Sequence, residues 1–319
     1  MTGQQIKPLA RFVFFAEEHA VLYHVAVRAS SRVLAPAQDF ATVTDMQLED
    51  HIGDVVRKAR AMGGIAPAAA AHAAGITEDE LAAFENSGTI TKAINYPALG
   101  ELLNMPPQKL AALAAGWLPA PVNLARWSGL RCFTTRDDRL NVNCYLIWDP
   151  VTREAAVFDT GLDAEPVLAT LAAENLVLRH IFITHAHWDH IEALPQLRAA
   201  FPAAAVHSGS ANAPAAQRLQ PGGSIPVGGR RIEYRLTPGH ADDGVTYLIS
   251  QWPANAPLVA VVGDTIFAGS IGRGNPSWSL AREKVRGEIL VLPEETLLCP
   301  GHGPLTTVRE EREANPFFL

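Results

Sequence analysis

The chain has 319 residues, enough for two domains, and its 48% hydrophobic and 18% charged residues are typical of a globular protein with a sizeable core. Its formal net charge of -7 gives no electrostatic reason to expect nucleic acid or an anionic membrane as a partner. The three cysteines, Cys132, Cys144 and Cys299, have no C-x-x-C spacing and indicate reduced thiols rather than a disulfide framework. The apolar run 12–15 stops at Glu17, and no uncharged apolar stretch reaches about 18 residues. We therefore expect a cytoplasmic protein without a membrane span.

The first two regions of the chain differ in composition and in residue pattern. Residues 1–45 hold two β-rich runs around a polar break, which favours a hairpin or two adjacent strands of unassigned role. Residues 46–118 are rich in alanine and are interrupted by Gly63-Gly64, Gly75, Ser87-Gly88 and Pro106-Pro107, a pattern that predicts a small helical domain. Its predicted helices are 48–62, 67–74, 77–86, 96–103 and 107–115. A stiff, proline-bearing linker over 119–127 is predicted to follow.

Residues 128–319 form the third predicted domain, of mixed α/β pattern. Apolar runs predict its strands, at 140–148, 155–158, 180–184, 204–207, 232–236, 245–250 and 257–262. Helical stretches lie between or after them, near 164–175, 190–200, 278–291 and 308–314. The fold class predicted from the whole chain is α/β, with a small all-α domain and a short β segment before it.

The segment 181–190 carries the clearest chemical signal in the chain. A buried strand ends at Thr184, and the next six residues read H-x-H-x-D-H: His185, His187, Asp189 and His190. Burying four such polar groups without partners would cost several kcal/mol, so a structural role does not explain them. Imidazole and carboxylate groups are ligands for zinc, and also for iron or manganese. The motif therefore predicts a metal site.

Three further candidate ligands follow strand-like runs downstream. His240 follows Gly239, Asp264 follows Gly263, and His302 lies between Gly301 and Gly303. A glycine beside each suggests that backbone passes close to a crowded site. Each of these residues alone is a weak indicator, because a lone histidine is more often solvated or part of the core.

Together these motifs resemble the metallo-β-lactamase superfamily, and within it the glyoxalase II-like (hydroxyacylglutathione hydrolase-like) enzymes. The resemblance covers roughly residues 130–319 and is carried by the segments 143–147, 157–161, 184–190, 239–240, 263–267, 269–273, 301–303 and 306–317. It implies an αββα sandwich and a two-metal site. One divalent ion would be held by His185, His187 and His240, and a second by Asp189, His190 and His302. Asp264 would bridge them.

The resemblance also implies the chemistry. Two divalent ions, Zn²⁺ in the first place with iron or manganese as alternatives, lower the pKa of bound water to about 7. The implied reaction is hydrolysis of an ester or thioester in a small molecule, with Asp189 and Asp264 as the catalytic residues and Asp189 handling the proton. A mononuclear-iron, persulfide dioxygenase-like oxidoreductase is the alternative. Asp159 is expected either to orient a ligand histidine or to cap the turn at Thr160-Gly161.

The sequence departs from the subgroup's usual pattern beside the site. Residues 191–193 and 241–244 replace small or glycine-containing turns and add carboxylates at the mouth. The chain also ends at Leu319 without the basic helical extension of glyoxalase II enzymes. We therefore expect anionic substrates, including S-lactoylglutathione, to be disfavoured. Tyr145 and Arg273 are candidate pocket residues, whereas His180 and His207 are expected to be structural.

The helical domain resembles the lambda-repressor-like helix-turn-helix family in the spacing of its helices. This suggests an alternative function, a DNA-binding regulator with a metabolite-sensing metallohydrolase domain. However, residues 51–118 contain five basic and six acidic side chains, and Thr77 followed by three acids would begin the recognition helix. We therefore expect no nucleic-acid binding. The expected roles of this domain are homodimerisation or covering the mouth of the active site, and the alternative is a merely structural appendage.

Overall fold

Two mixed β-sheets organise the computed structural model, which describes residues 47–219 and 222–319. The hairpin predicted in residues 1–45 lies outside the described residues. The first sheet has the order β1-β2-β3-β4-β5 and consists of β1 (Leu130–Arg136), β2 (Asn141–Trp148), β3 (Glu154–Phe158), β4 (Val177–Phe182) and β5 (Ala205–His207). β1, β2 and β3 pair antiparallel, and β4 and β5 continue the sheet in parallel.

The second sheet has six strands in the order β13-β12-β9-β8-β7-β6. The remaining strands in chain order are β6 (Ser224–Val227), β7 (Arg230–Leu236), β8 (Val245–Ser250), β9 (Val259–Gly263), β10 (Ile266–Phe267), β11 (Ser270–Ile271), β12 (Leu297–Pro300) and β13 (Thr306–Thr307). Only β9 and β12 pair in parallel in this sheet. β10 and β11 form a separate hairpin directly after Asp264.

Ten α-helices surround the sheets in the described part of the chain. They are α1 (Ile52–Met62), α2 (Pro67–Ala74), α3 (Glu78–Ser87), α4 (Tyr96–Leu103), α5 (Pro107–Ala114), α6 (Glu165–Ala173), α7 (Trp188–Ile191), α8 (Leu194–Ala200), α9 (Trp278–Lys284) and α10 (Val308–Ala314). A π-helical turn, Val285–Ile289, continues α9, and short 3-10 turns occupy Leu124–Arg126, Ala215–Gln217 and Pro253–Asn255. No helix in 47–219 or 222–319 is long and apolar enough to span a bilayer.

Side chains that alternate between the two faces of each strand produce the layered arrangement of sheets and helices. In β2, Tyr145 and Ile147 belong to the core between the two sheets, whereas Cys144 and Leu146 face the opposite side. Residues of α6 and α8, such as Leu171 and Leu197, cover that outer side. Because side chains alternate between the faces of a strand, a strand of the apolar pattern of β2 must be covered on both sides. The arrangement confirms the αββα sandwich expected for this fold class.

The outer face of the second sheet is covered both by α9 of the sandwich and by the N-terminal helices α1 to α5. Leu248 of β8 and Ala260 and Val262 of β9 share one hydrophobic cluster with α9 and with residues from α1 to α5. Trp117, just before the predicted linker at 119–127, is partly buried against the same cluster. The helical segment therefore has no apolar core separate from that of the sandwich. The boundary at 119–127 remains a prediction.

The predicted helices of residues 46–118 are all present, with shifts at their ends. Thr77 caps α3 as predicted, because its hydroxyl accepts from the Glu80 amide while the Glu80 carboxylate accepts from the Thr77 amide. α1 begins at Ile52 rather than at 48, because the His51 imidazole accepts the Asp54 amide as the cap. The preceding residues 47–51 are therefore non-helical and take part in the site described below.

Two helices predicted in the sandwich are longer than the α-helices of the structure. The stretch 190–200 is divided into α7 and α8, because Pro195 occupies the first turn of α8 and suits only a helix start. The stretch 278–291 is α-helical only to Lys284 and continues as the π turn. Strands β1, β6, β10, β11 and β13 were not predicted; most are short or carry no strict alternation of apolar residues.

Candidate metal centre

The seven predicted ligand residues form two adjacent groups. His185, His187, His240 and Asp264 present ligand atoms within 4.8 Å of one another, and Asp189, His190 and His302 form a second group by the same measure. Every predicted ligand residue thus lies in one of the two groups, although the residues span more than a hundred positions of the chain. Their roles as ligands are part of the proposal below.

Strand ends bring these side chains together. His185 and His187 lie in the loop after β4, and α7 immediately follows with Asp189 and His190. The other three, His240, Asp264 and His302, follow β7, β9 and β12. Because these strands belong to two sheets packed face to face, the loops at one end of the sandwich meet there.

The first group has the spacing of ligands around one small cation. His187 Nδ1 lies 2.9 Å from His185 Nε2 and 3.1 Å from His240 Nε2. Zinc–nitrogen bonds of about 2.0–2.1 Å in a tetrahedral site place neighbouring ligand atoms roughly 3.3 Å apart. Three imidazole nitrogens cannot all satisfy one another by hydrogen bonds, because a neutral ring offers one donor and one acceptor. The group therefore fits a metal ion.

Asp264 faces both groups. Its Oδ2 lies 3.4 Å from His240 Nε2 and 3.4 Å from His302 Nε2, and its Oδ1 lies 3.3 Å from His190 Nε2. The second group is completed by Asp189 Oδ2, at 3.3 Å from His302 Nε2 and 3.6 Å from His190 Nε2. One carboxylate between two sets of imidazoles is the arrangement that a bridging ligand requires.

Two atoms of the site are buried without any hydrogen-bond partner. They are His190 Nε2 and Asp264 Oδ1, and both residues are less than 10% exposed. A buried polar atom left unpaired costs about 1–3 kcal/mol, so folded proteins rarely retain one without a reason. A cation between these atoms would satisfy both. The residues present therefore fit the metal that the site chemistry implies.

Asp159 orients His190 from behind. Its Oδ2 accepts from His190 Nδ1 at 2.8 Å and from the Thr184 hydroxyl at 2.7 Å, while its Oδ1 accepts from the Thr184 amide. This carboxylate therefore favours the His190 tautomer that leaves Nε2 free to face Asp264. Of the two expectations for Asp159, the contacts support the orienting role.

Other histidines of the two groups are held in the same way by backbone carbonyls. His240 Nδ1 donates to the Arg273 carbonyl at 3.1 Å, and His302 Nδ1 donates to the Asn141 carbonyl at 2.5 Å. In both residues Nε2 is left to face the centre. Asn143 further fixes the loop of His302, because its side-chain amide donates to the carbonyls of residues 300 and 303.

A side chain at Gly301 could not be accommodated. A Cβ atom there would lie 2.3 Å from Asp264 Oδ1 and 2.6 Å from His190 Cε1. At Gly263, whose φ is +50°, a Cβ would lie 2.4 Å from the Thr184 hydroxyl. Both contacts are far inside van der Waals distance, which confirms the close backbone approach predicted from these glycines.

The carboxylates govern protonation in the site. Burial favours the neutral form of His190 and His302, but facing carboxylates, Asp264 above all, raise the pKa of His190 to about 10 and that of His302 to about 11. Burial lowers the pKa of His185 well below its usual value, and it lowers the pKa of His240 as well. Burial acts to raise the pKa of Asp264, but His302 and His190 hold it well below its usual value.

Metal binding should therefore release protons. At pH 7 the raised pKa values leave His190 and His302 protonated, and both must lose a proton before they can ligate. Because protons compete with the metal at both histidines, affinity should rise with pH up to about 11. We expect His302→Gln to reduce the proton release on Zn²⁺ addition by about one per chain. Calorimetry of the metal-free protein in buffers of different ionisation enthalpy measures this number, and an unchanged release in the variant would contradict the assignment.

Four other residues singled out from the sequence belong to neither ligand group. Tyr145 does not line a pocket: it is only 1% exposed, and its hydroxyl donates to the Pro300 carbonyl at 2.6 Å. The Arg273 side chain is exposed, and its carbonyl contacts His240. His180 and His207 bond to each other at 2.9 Å and belong to neither ligand group, as expected.

Two acidic residues near the site were not assigned a role by sequence reasoning. Asp243 accepts from the Ala186 amide at 3.1 Å and so steadies the loop between His185 and His187. Its position shortly after His240 was the available signal. Glu49 lies next to the loop of His302, through the backbone approach described below. No sequence pattern connects it to the site, since it lies more than 130 residues before the first ligand motif.

Comparisons with known proteins agree with the geometry. A probable metallo-hydrolase, YqgX of Bacillus subtilis, is 30% identical over 191 residues, covering 52% of this chain and 87% of that protein. A hydroxyacylglutathione hydrolase of Thermosynechococcus vestitus is 36% identical over 165 residues, covering 50% of this chain and 62% of that protein. The crystal structure of ETHE1 from Myxococcus xanthus superposes with a TM-score of 0.51 at 31% identity, covering 58% of this chain and 83% of that one.

The family assignment covers the part of the chain that carries the site. Residues 137–302 match the family described as the metallo-beta-lactamase superfamily, and this range includes all seven residues of the two ligand groups. It also includes Asp159, which orients His190. With the sandwich fold and the clustered histidines and aspartates in place, the chain belongs to the metallo-beta-lactamase superfamily.

Proposed function

We propose that this protein is a binuclear metal-dependent hydrolase that cleaves an ester or thioester bond in a small molecule. The observation that carries the proposal is the position of Asp264, whose carboxylate faces the histidines of both ligand groups. A site for one ion would need only one of these groups. The second group, with Asp189, His190 and His302, is equally compact and fully buried.

The proposal assigns a separate task to each group. His185, His187 and His240 would hold one ion, Asp189, His190 and His302 the other, and Asp264 both. Nitrogen-rich sites of this kind suit Zn²⁺, with iron or manganese as the other candidates. When bound, two such ions supply a polarising Lewis acid and water acidic enough to ionise near neutral pH.

The protein's own groups control orientation and proton movement. The Nδ1 bonds of His190, His240 and His302 keep each Nε2 aimed at the centre, so the site is organised before substrate arrives. The Asp189 carboxylate, beside His302 and His190, is assigned the proton released by the attacking water. No serine or cysteine nucleophile is needed, and Cys144 and Cys299 are fully buried.

The relatives support the reaction class. Several of them are hydroxyacylglutathione hydrolases, and a hydroxyacylglutathione is a thioester. The identities of about a third, over half of this chain, support hydrolysis in general and leave the acyl and thiol groups of the substrate to be found by experiment.

The decisive test is metal quantification on freshly purified protein, followed by a panel of thioesters, esters, lactones and phosphoesters. We expect close to two metal ions per chain and turnover of thioesters or esters that is lost on chelation and restored by Zn²⁺. One iron per chain, with oxygen consumption on glutathione persulfide and no hydrolysis, would replace this proposal by the mononuclear-iron alternative.

We also propose that the helical segment serves the active site rather than nucleic acid. Its five basic side chains are engaged within the chain. Arg57 pairs with Asp54, Lys58 with Asp50, Arg60 with Glu85 and Lys92 with Glu80, while Lys109 donates to two carbonyls of the C-terminal tail. Phosphate binding would require breaking such pairs or displacing these donors. The DNA-binding alternative therefore gains no support from the arrangement of these charges.

A further inference from the structure

The non-helical residues before α1 approach the metal centre. A Cβ atom at Gly303, next to His302, would lie 3.0 Å from the Glu49 amide nitrogen and 3.4 Å from the Glu49 Cβ. Gly303 has a φ of +72°, a conformation that favours glycine. The backbone at Glu49 is therefore packed directly on the loop that carries His302.

A buried ion pair fixes this segment in place. Lys58 of α1 is only 6% exposed; its ammonium group pairs with Asp50 and donates to the Ile271 carbonyl at 2.6 Å. The Ser270 hydroxyl donates to the same Asp50 carboxylate at 2.5 Å. Removing one partner of a buried pair leaves an uncompensated charge, so these contacts hold the segment firmly. They join residues next to Glu49 to the β10–β11 hairpin, which directly follows Asp264.

The hairpin also connects this ion pair to the site. The Lys58 ammonium lies 5.5 Å from the centre of the Phe267 ring. The His302 ring also contacts Phe267, with ring centres 5.8 Å apart. The segment 47–51, α1, the hairpin and the loop of His302 thus form one packed unit. A side chain on this segment has a defined position relative to the metal centre.

The Glu49 side chain itself is exposed. It is nevertheless close enough to act electrostatically on His302 and Asp264. Neither ligand group includes Glu49, and the residue is exposed beside the loop that carries His302. A charge in that position meets any substrate group that extends past the second ligand group.

We propose that Glu49 is a specificity-determining residue, which disfavours substrates carrying a negative charge on the His302 side of the site and favours neutral or cationic ones. The proposal rests on the hydrolase function proposed above and extends it to the chemical class of substrate. The repulsion is electrostatic, so it acts through the field at the mouth and leaves the reacting atoms untouched.

Three acetyl thioesters with two-carbon thiol linkers and different terminal charges test this proposal: acetylthiocholine (cationic), the acetyl thioester of N-acetylcysteamine (neutral) and that of 2-mercaptoethanesulfonate (anionic). For metal-loaded Glu49→Lys we expect kcat/KM for the anionic thioester, relative to the neutral one, to rise about tenfold, and that for the cationic thioester to fall by a similar factor. Glu49→Gln should shift both ratios in the same directions by a smaller factor. In about 1 M salt the differences should shrink, because salt screens exposed charges.

Glu101→Lys is the matched control, because Glu101 is an exposed glutamate of α4 and makes the same change in net charge. It should leave both ratios unchanged. If wild type hydrolyses the thioesters but Glu49→Lys leaves the ratios as they are, or if Glu101→Lys shifts them equally, the role of Glu49 is wrong and the hydrolase function stands. If metal-loaded wild type hydrolyses none of the three, nor any ester in the wider panel, both proposals fall together.

Discussion

Asp264→Ala is expected to reduce hydrolysis by at least about 10³-fold, because it removes the one carboxylate that faces both ligand groups. Metal content should fall from about two ions per chain toward one or none. The fold should persist, since Asp264 directly follows β9 and its side chain lies outside the hydrophobic clusters that join the sheets and helices. Turnover with the best thioester or ester, metal content by elemental analysis and far-UV circular dichroism measure the three effects.

Asp79→Ala provides the control for this experiment. Asp79 is an exposed aspartate in the first turn of α3, so its removal should change neither turnover nor metal content. Stability should decrease by no more than about 1 kcal/mol, the usual effect of an acid near a helix N-terminus. Turnover that survives Asp264→Ala with both ions still bound would show that the bridging role is misassigned.

Asp159→Asn is expected to weaken metal binding at the second ligand group by about 10–100-fold, without removing a ligand. An amide nitrogen in place of Asp159 Oδ2 would meet the Nδ1–H of His190, and relief of that clash favours the tautomer with Nε2 protonated. Protonated Nε2 cannot ligate. If the amide is reversed, its nitrogen instead meets the Thr184 amide, which is equally unfavourable. Competition with a chelator of known affinity measures the two binding steps separately, and only one of them should weaken.

Asp149→Asn separates this effect from a general loss of stability. Asp149 is also a buried aspartate, and its carboxylate accepts from the Val151 amide in the turn after β2 and from the Gly229 amide in the turn between β6 and β7. β2 leaves the metal centre at Asn141 and reaches Asp149 at its far end. The control should lower thermal stability and leave both metal-binding steps unchanged. An equal loss of affinity in the two variants would mean that Asp159 acts through the fold and not through His190.

The strands that were predicted correctly share a physical property with one another. β8 and β9 are apolar on both faces, because one side meets the other sheet and the other side meets helices, and such runs are visible in sequence. β1 pairs only with β2 at an edge of the first sheet, and its alternate residues are partly exposed. Its pattern is therefore weak, and its pairing with β2 depends on a partner that the local sequence does not specify.

In the helical segment, the helices could be predicted from the sequence but their location could not. Its five helices followed from alanine content, glycine stops and the Thr77 cap, all of which act within a few residues. Its location could not be predicted, because the contact that fixes it joins Lys58 to Ile271, 213 residues away in the chain. The same contact explains why Lys58 is buried in a helix whose other charged residues, Asp54, Arg57 and Arg60, are partly exposed.

From the sequence alone, the residues expected to bind a metal could be named. The spacing of His185, His187, Asp189 and His190 after a buried strand requires a common partner, since burying them otherwise is too costly. Only the tertiary structure decided that Asp264 lies between two groups of histidines and that Glu49 borders them. Both facts depend on how two sheets and a remote helical segment pack, and packing across long chain separations leaves no local pattern in a sequence.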